Sequence, residues 1–259
     1  MAQIDQHPPG SFCWIELATS DQNAAKQFYQ SLFGWTPSDF PMGPGEFYTM
    51  FQIAGCDAAA ACTINAQMRA QGVPPHWMLY IATASADETA GKAAQSGGKV
   101  VAGPFDVMDF GRMAVIQDPA GATFSVWEPK SHKGTRVTGV PGTMCWADLN
   151  TPDPAGASAF YKAVFGWEIT TGHDDYLHIK NGEAFIGGIP PAAHRDPHAP
   201  PHWMTYFLVA DCDASAAQAK EAGANLYMGP MTIEKVGRMA VAADPQGAVF
   251  ALFQPLPQE

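Results

Sequence analysis

Trp14, Glu16, His76, Met78, Tyr80, Arg112 and Trp127 recur further along the chain as Trp146, Asp148, His202, Met204, Tyr206, Arg238 and Phe253. Brought together by strands, these side chains can bind a small organic molecule. Aromatic and thioether walls supply apolar area, and a few convergent polar groups fix orientation. Arg112 and Arg238 have the forked geometry to clamp a carboxylate or enolate. The alternative is a buried arginine paired with Glu16 or Asp148 to stiffen the sheet. His76 and His202 are candidate acid/base groups, since imidazole can both take up and release a proton. Each also follows Pro-Pro at a strand start, where a ring N–H capping a carbonyl is a structural role. Trp14 and Trp146 can stack on a flat ligand or simply fill core space. The fourteen residues are the candidate ligand-binding set, and no catalytic residue is assigned.

The elements that must position them are written twice. Gly10-Ser11-Phe12-Cys13-Trp14-Ile15-Glu16-Leu17 returns as Gly142-Thr143-Met144-Cys145-Trp146-Ala147-Asp148-Leu149. Phe28-Tyr29 and Phe33-Gly34-Trp35 return as Phe160-Tyr161 and Phe165-Gly166-Trp167, an offset of 132. Pro74-Pro75-His76-Trp77-Met78 returns at Pro200 and Gly111-Arg112-Met113 at Gly237, an offset of 126. A repeat this long is a domain, which divides the chain into 1–134 and 135–259, with 135–141 as linker.

Phe12 to Thr19 has strand composition. Asp21 then caps a helix whose apolar stripe is Ala25, Phe28, Tyr29, Leu32 and Phe33, stopped by Gly34. Asp153, Pro154 and Gly166 punctuate the second copy. A second strand from His76, a small-residue helix from about Asp87 to Gln95 and a hairpin through Asp118-Pro119-Ala120-Gly121 complete each half. That tetrad and Asp244-Pro245-Gln246-Gly247 have type I turn chemistry. Period-2 alternation puts Trp14 and Glu16 on one face, with His76, Met78 and Tyr80 on the same face of the next strand. A four-residue turn predicts Ala114 opposite Ser125 and Arg112 opposite Trp127, also on that face. Glu128, which is Gln254 in the second copy, falls on the other face.

Composition narrows the function classes. A net charge of -11 with no basic run argues against phosphate-backbone binding. No apolar stretch reaches bilayer length, and the polar N-terminus lacks a secretory core, so a cytoplasmic location is expected. Five cysteines without a CxxC pair argue against a disulfide framework or structural zinc. Cys13 and Cys145 read as small buried hydrophobes. His173, His178, His194 and His198 have no counterpart in the first copy, and the Pro-rich loop holding the last two has no helix to join them.

With its strand-then-helix openings and terminal Gly-Arg-Met-Ala-Val…Asp-Pro-x-Gly-Ala-x-Phe hairpins, the chain resembles the vicinal oxygen chelate superfamily. That group holds glyoxalase I, bleomycin resistance proteins and extradiol dioxygenases. It is most similar to two-domain glyoxalase-like proteins often labelled hydroxylases. The resemblance implies an α+β fold of four βαβββ units, forming two tandem domains with curved mixed sheets. It also implies a metal held by side chains of the opening strands and the final strand. Those positions fall on Trp14, Met78 and Ser125, and on Trp146, Met204 and Ala251. Trp and Ala cannot coordinate a hard or borderline divalent ion, and Met prefers soft ones. The expectation is therefore a small-molecule binder without the usual metal site and with no cofactor. It sequesters or detoxifies an apolar, aromatic or dicarbonyl compound, as a monomer or homodimer. A lyase, isomerase or hydroxylase acting on a small carbonyl compound is the alternative.

Overall fold

The computed structural model describes residues 2–43, 46–172, 175–196 and 198–256. A short strand β1 (Ala2–Gln3) precedes β2 (Phe12–Thr19). Asp21 then accepts a hydrogen bond from the Ala24 N–H and starts α1 (Gln22–Phe33). Ala25, Phe28, Tyr29 and Leu32 are its buried stripe, and Gly34, at φ 67°, ends it in the left-handed region. Strands β3 (Thr36–Gly43), β4 (Glu46–Ile53) and β5 (Cys56–Thr63) complete the first unit. After a single-turn helix α2 (Ala66–Ala70), the second unit runs β6 (His76–Ala82), α3 (Ala86–Gln95), β7 (Lys99–Val107), β8 (Gly111–Gln117) and β9 (Thr123–Pro129).

All eight of these longer strands form one sheet in the order β3-β4-β5-β2-β6-β9-β8-β7. Within it β2 is antiparallel to β6, while β2–β5 and β6–β9 are the parallel joints. The linker contributes β10 (Val137–Thr138), which pairs with β1.

The second half repeats the plan with β11 (Met144–Asn150), α4 (Pro154–Phe165), β12 (Glu168–Thr171), β13 (Leu177–Asn181) and β14 (Ala184–Ile189). It continues with β15 (His202–Leu208), α5 (Cys212–Glu221), β16 (Asn225–Ile233), β17 (Gly237–Ala243) and β18 (Val249–Pro255). Its sheet order, β12-β13-β14-β11-β15-β18-β17-β16, matches the first strand for strand. The fold is the α+β arrangement of two tandem glyoxalase-like domains that the resemblance implies. Among the described residues no helix is long and apolar enough to cross a membrane.

The helix-bearing faces of both sheets share one core. Ile15, Leu17, Trp77 and Phe124 of the first repeat lie in the same buried cluster as Leu149, Trp203, Phe207 and Phe250 of the second. Helix α1 packs against α5 and α3 against α4, so each domain covers part of the other. Polar ties cross reciprocally. Tyr29 donates to Asp244 Oδ2 at 3.0 Å and Tyr161 to Asp118 Oδ2 at 3.2 Å. Trp35 Nε1 donates to the Gly142 carbonyl, and Trp167 Nε1 to that of Gly10. Burying paired polar groups at both ends fixes the docking of two faces that are otherwise apolar and permissive.

The β8–β9 hairpin departs from the sequence expectation by one residue. Asp118 N donates to the Ala122 carbonyl, and Gly121 stands at φ 112° as an extra residue behind the type I turn. The connection is therefore a three-residue loop with a bulge glycine. A one-residue change of register turns every side chain to the other face. Ala114 lies opposite Val126 and Arg112 opposite Glu128, not Ser125 and Trp127. In the second hairpin Arg238 lies opposite Gln254.

Both arginines accordingly leave the concave face. Arg112 makes a two-pronged bond to Asp87 of α3, with Nε at 2.7 Å and Nη2 at 3.0 Å. Arg238 does the same to Asp213 of α5. Neither pairs with Glu16 or Asp148. Glu128 and Gln254 accept from the first-turn N–H groups of Ala86 and Cys212, at 2.9 and 3.0 Å. An acceptor oxygen suffices for that role, which accounts for the Glu-to-Gln exchange between repeats.

Candidate functional site

The concave face of each sheet carries the other half of every alternation. On β2, Ile15 and Leu17 enter the shared core, while Trp14 belongs to a separate cluster with Met50, Ala60, Tyr80 and Trp127. Met78 and Met113 pack against that cluster. Glu16 lies opposite Met78, and Trp14 opposite Tyr80. The Glu16 carboxylate accepts from Tyr48 at 2.7 Å, from Tyr80 at 3.3 Å and from the Cys62 thiol at 3.6 Å. Trp14 Nε1 donates to the Tyr48 hydroxyl at 3.4 Å. His132 closes one wall, its ring 4.7 Å from that of Trp14 and its carbonyl held by Trp127 Nε1.

The second repeat builds the same constellation more tightly. Tyr206 donates to Asp148 Oδ2 at 2.6 Å, Trp146 Nε1 to Oδ1 at 3.1 Å, and Tyr176 also to Oδ1. Trp146 Nε1 lies 2.8 Å from the Tyr176 hydroxyl as well. Aspartate is one methylene shorter than glutamate, and the neighbouring strand compensates. Gly188, opposite Asp148, replaces Ala60, opposite Glu16, and a Cβ at 188 would overlap the Tyr176 ring. The missing methyl lets the tyrosine sink toward the shorter acid. Phe253, Met204 and Met239 supply the apolar wall.

Burial holds the Asp148 carboxyl above the usual carboxylate range, against the opposing hydrogen bonds of Tyr176, Tyr206 and Trp146 and the His178 charge. Burial likewise raises Glu16, opposed by hydrogen bonds from Tyr48, Cys62 and Tyr80 and by the His76 charge. Tyr48, Tyr80, Tyr176 and Tyr206 are all raised, first by burial and then by the adjacent carboxylate, so they remain protonated donors. The arrangement can therefore accept a hydrogen bond or a proton at a carboxylate and offer phenols beside it.

A raised carboxyl makes stability depend on pH. Below the ordinary carboxylate value near pH 4, folded and unfolded chains both hold the proton and no penalty exists. As pH rises from there toward the folded-state value, the unfolded chain ionises while the folded chain keeps its proton, so stability falls until the folded-state value is passed. The melting-temperature advantage of Asp148→Asn over wild type is expected to grow as pH rises above about 4 and to level once the raised folded-state value is passed. A difference independent of pH would show that Asp148 ionises without penalty.

Twelve of the fourteen residues expected from sequence lie on the concave faces; Arg112 and Arg238 do not, for the register reason above. His76 and His202 stand at the rim with Nδ1 2.8 Å from the Pro74 and Pro200 carbonyls, the structural cap. Alanine at Arg112 or Arg238 is expected to leave affinity for a concave-face ligand unchanged by calorimetry, and a large loss would return the guanidinium to the site. Sequence reasoning missed Tyr48 and Tyr176. Their signal was a third repeat offset, 128, carried by strands β4–β5 and by β13–β14 with Tyr176 just ahead of β13. Cys13 is buried as expected, whereas Cys145 is exposed. His173 lies outside the described residues.

A divalent metal would need imidazole, thiolate or carboxylate donors at these positions. Trp14, Met78 and Ser125, with Trp146, Met204 and Ala251, face the concave space and offer no imidazole or carboxylate, and both nearby acids are engaged by phenols. Among the described residues no three His, Cys, Asp or Glu side chains gather as a metal site. The donor set does not fit Mn²⁺ or Zn²⁺.

The family model of the glyoxalase/bleomycin resistance protein/dioxygenase superfamily matches residues 11–126 and 143–252. The chain belongs to that superfamily. Within it, the chain is 40% identical over 267 residues to a Mycobacterium tuberculosis protein named "Putative glyoxylase CFP32", covering all of both. It is 33% identical to the anthracycline biosynthesis protein DnrV of Streptomyces peucetius, over 95% of this chain and 94% of that one. The Mn(II)-bound glyoxalase of Novosphingobium aromaticivorans shares the superfamily fold at TM-score 0.67 and 16% identity, over 96% of this chain and 83% of that one. The 2,3-dioxygenase LapB of Pseudomonas sp. KL28 does so at 0.64 and 11%, over 95% and 93%.

Proposed function

We propose that the concave faces bind a flat, oxygenated aromatic molecule without a metal. The observation that carries this reading is the carboxylate held by two tyrosines and neighboured by a tryptophan, built in both repeats within aromatic and methionine walls. Indole, phenol and thioether surfaces favour a planar π-system. A ligand hydroxyl can donate to the acid, and a ligand carbonyl can accept from a tyrosine that turns toward it. The named role of the Streptomyces relatives in anthracycline biosynthesis supports a polycyclic hydroxyquinone as the chemical class.

Proton transfer is a second reading, favoured by the raised carboxyl of Asp148 beside two protonated phenols. In it Asp148 takes a proton from a bound ligand hydroxyl or activated C–H and returns it to another atom of the same ligand. The binding reading is tested by titrating the protein with 1,4-dihydroxyanthraquinone while following tryptophan fluorescence. Saturable quenching is expected, and quenching that stays linear with ligand concentration would reject it.

A further inference from the structure

A second kind of site emerges where the repeats differ. In the first repeat the side chain of Gln22, the opening residue of α1, plugs the gap between that helix and the sheet. Its Nε2 donates to the Phe47 carbonyl at 3.1 Å, to Thr49 Oγ1 at 2.8 Å and to the Ala61 carbonyl at 2.9 Å. Its Oε1 accepts from Thr63 Oγ1 at 3.0 Å. In the second repeat Pro154 stands in place of Gln22, and Asp175, Leu177, Ile189 and Pro191 replace the four residues it touches. The plug and both threonine hydroxyls are gone together. A cavity of 390 Å³ takes their place, lined by Pro154, Asp175, Leu177, Ile189, Pro190 to Ala193 and Arg195. It opens on the helix-bearing side of the sheet, away from Asp148.

Arg195 is the polar feature of that cavity. Its first-repeat counterpart at the 126 offset, Arg69, spends its guanidinium on the Ile64 carbonyl at 2.5 Å. Arg195 Nε is buried and has no hydrogen-bond partner, and its guanidinium makes no ion pair among the described residues. That Nε lies out of a ligand's reach, so the donors an anion in the cavity would meet are the Nη groups of the half-buried Arg195 guanidinium, which suit a carboxylate. The described walls are aliphatic and proline, and among the described residues Arg195 is the one cation lining the cavity, which favours a monoanion with an apolar body over a phosphate.

We infer that this cavity, between the start of α4, the β13–β14 strands and Arg195, binds a small carboxylic acid with an apolar body. Asp175, exposed at the rim, is the opposing charge and weakens the same ligand. The inference does not depend on the concave-face reading.

The test is calorimetric titration of the full chain with benzoate, phenylacetate and hexanoate, with phenethylamine as the cationic control. At least one acid is expected to bind one to one and the amine not to bind. Arg195→Gln is expected to weaken the acid at least tenfold. Pro154→Gln, which restores the first repeat's plug, is expected to do the same, and Asp175→Asn to tighten it. Unchanged melting temperatures would show that the variants fold, while Asp148→Asn leaves this titration unaffected. Failure of all three acids to bind, binding that ignores both Arg195→Gln and Pro154→Gln, or preference for the amine would each overturn the inference.

Discussion

Asp244→Ala is expected to destabilise the protein by about 3–5 kcal/mol, a drop of about 6–20 °C in melting temperature. Asp244 is 3% exposed and serves two structures at once. Its Oδ1 accepts from the backbone N–H groups of Gln246 and Ala248, both at 2.9 Å, which shapes the β17–β18 turn. Its Oδ2 accepts from Tyr29 of the other domain, and Trp77 Nε1 donates to the same phenol at 3.0 Å. Alanine leaves two turn N–H groups without a side-chain acceptor and a phenol stranded in a fully buried aromatic cluster. Asp118→Ala is the mirror experiment, through Tyr161 and Trp203. Because the core is continuous across the repeats, both variants should lower one cooperative transition. A loss below about 1 kcal/mol, or melting of the two halves at separate temperatures, would contradict the interlocked core.

Affinity of the second-repeat face for a hydroxyquinone is expected to fall about a hundredfold in Asp148→Leu and about tenfold in Tyr206→Phe, by fluorescence titration in a Glu16→Leu background that removes the first-repeat acceptor. Leucine keeps the branched shape but removes the acceptor, so the ligand hydroxyl and the hydroxyls of Tyr176 and Tyr206 all lose their partner. Phenylalanine at 206 removes a single donor and leaves Tyr176 and Trp146 on the carboxylate. The ordering of the two losses is the informative part. Equal, negligible losses would move the ligand off this face.

Much of the architecture was legible because each unit carries its own punctuation. Asp21 and Asp153 cap, Gly34 and Gly166 stop, and the 132 and 126 offsets announce the duplication. Trp14, Glu16 and Tyr80 could be placed on one face because alternation within a strand is strictly local. The arginines could not, since their face depends on whether Gly121 and Gly247 count as turn or as bulge, and composition suits both. Tyr48 and Tyr176 were hidden by a strand pair whose spacing follows neither main offset. No local signal could say that Tyr29 would meet Asp244 of the other repeat rather than Asp118 of its own. That choice is made by the docking of two whole domains.

The most direct measurement is an NMR titration of methyl-¹³C-methionine protein with 1,4-dihydroxyanthraquinone. Met78, Met113, Met204 and Met239 pack on the concave clusters, whereas Met42 and Met108 are exposed. The aromatic-binding account predicts large, saturable shifts confined to the concave methyls of at least one repeat, and their loss in Asp148→Leu if the second repeat is the one occupied. Shifts at Met42 or Met108 alone, or none at any methyl, would contradict it.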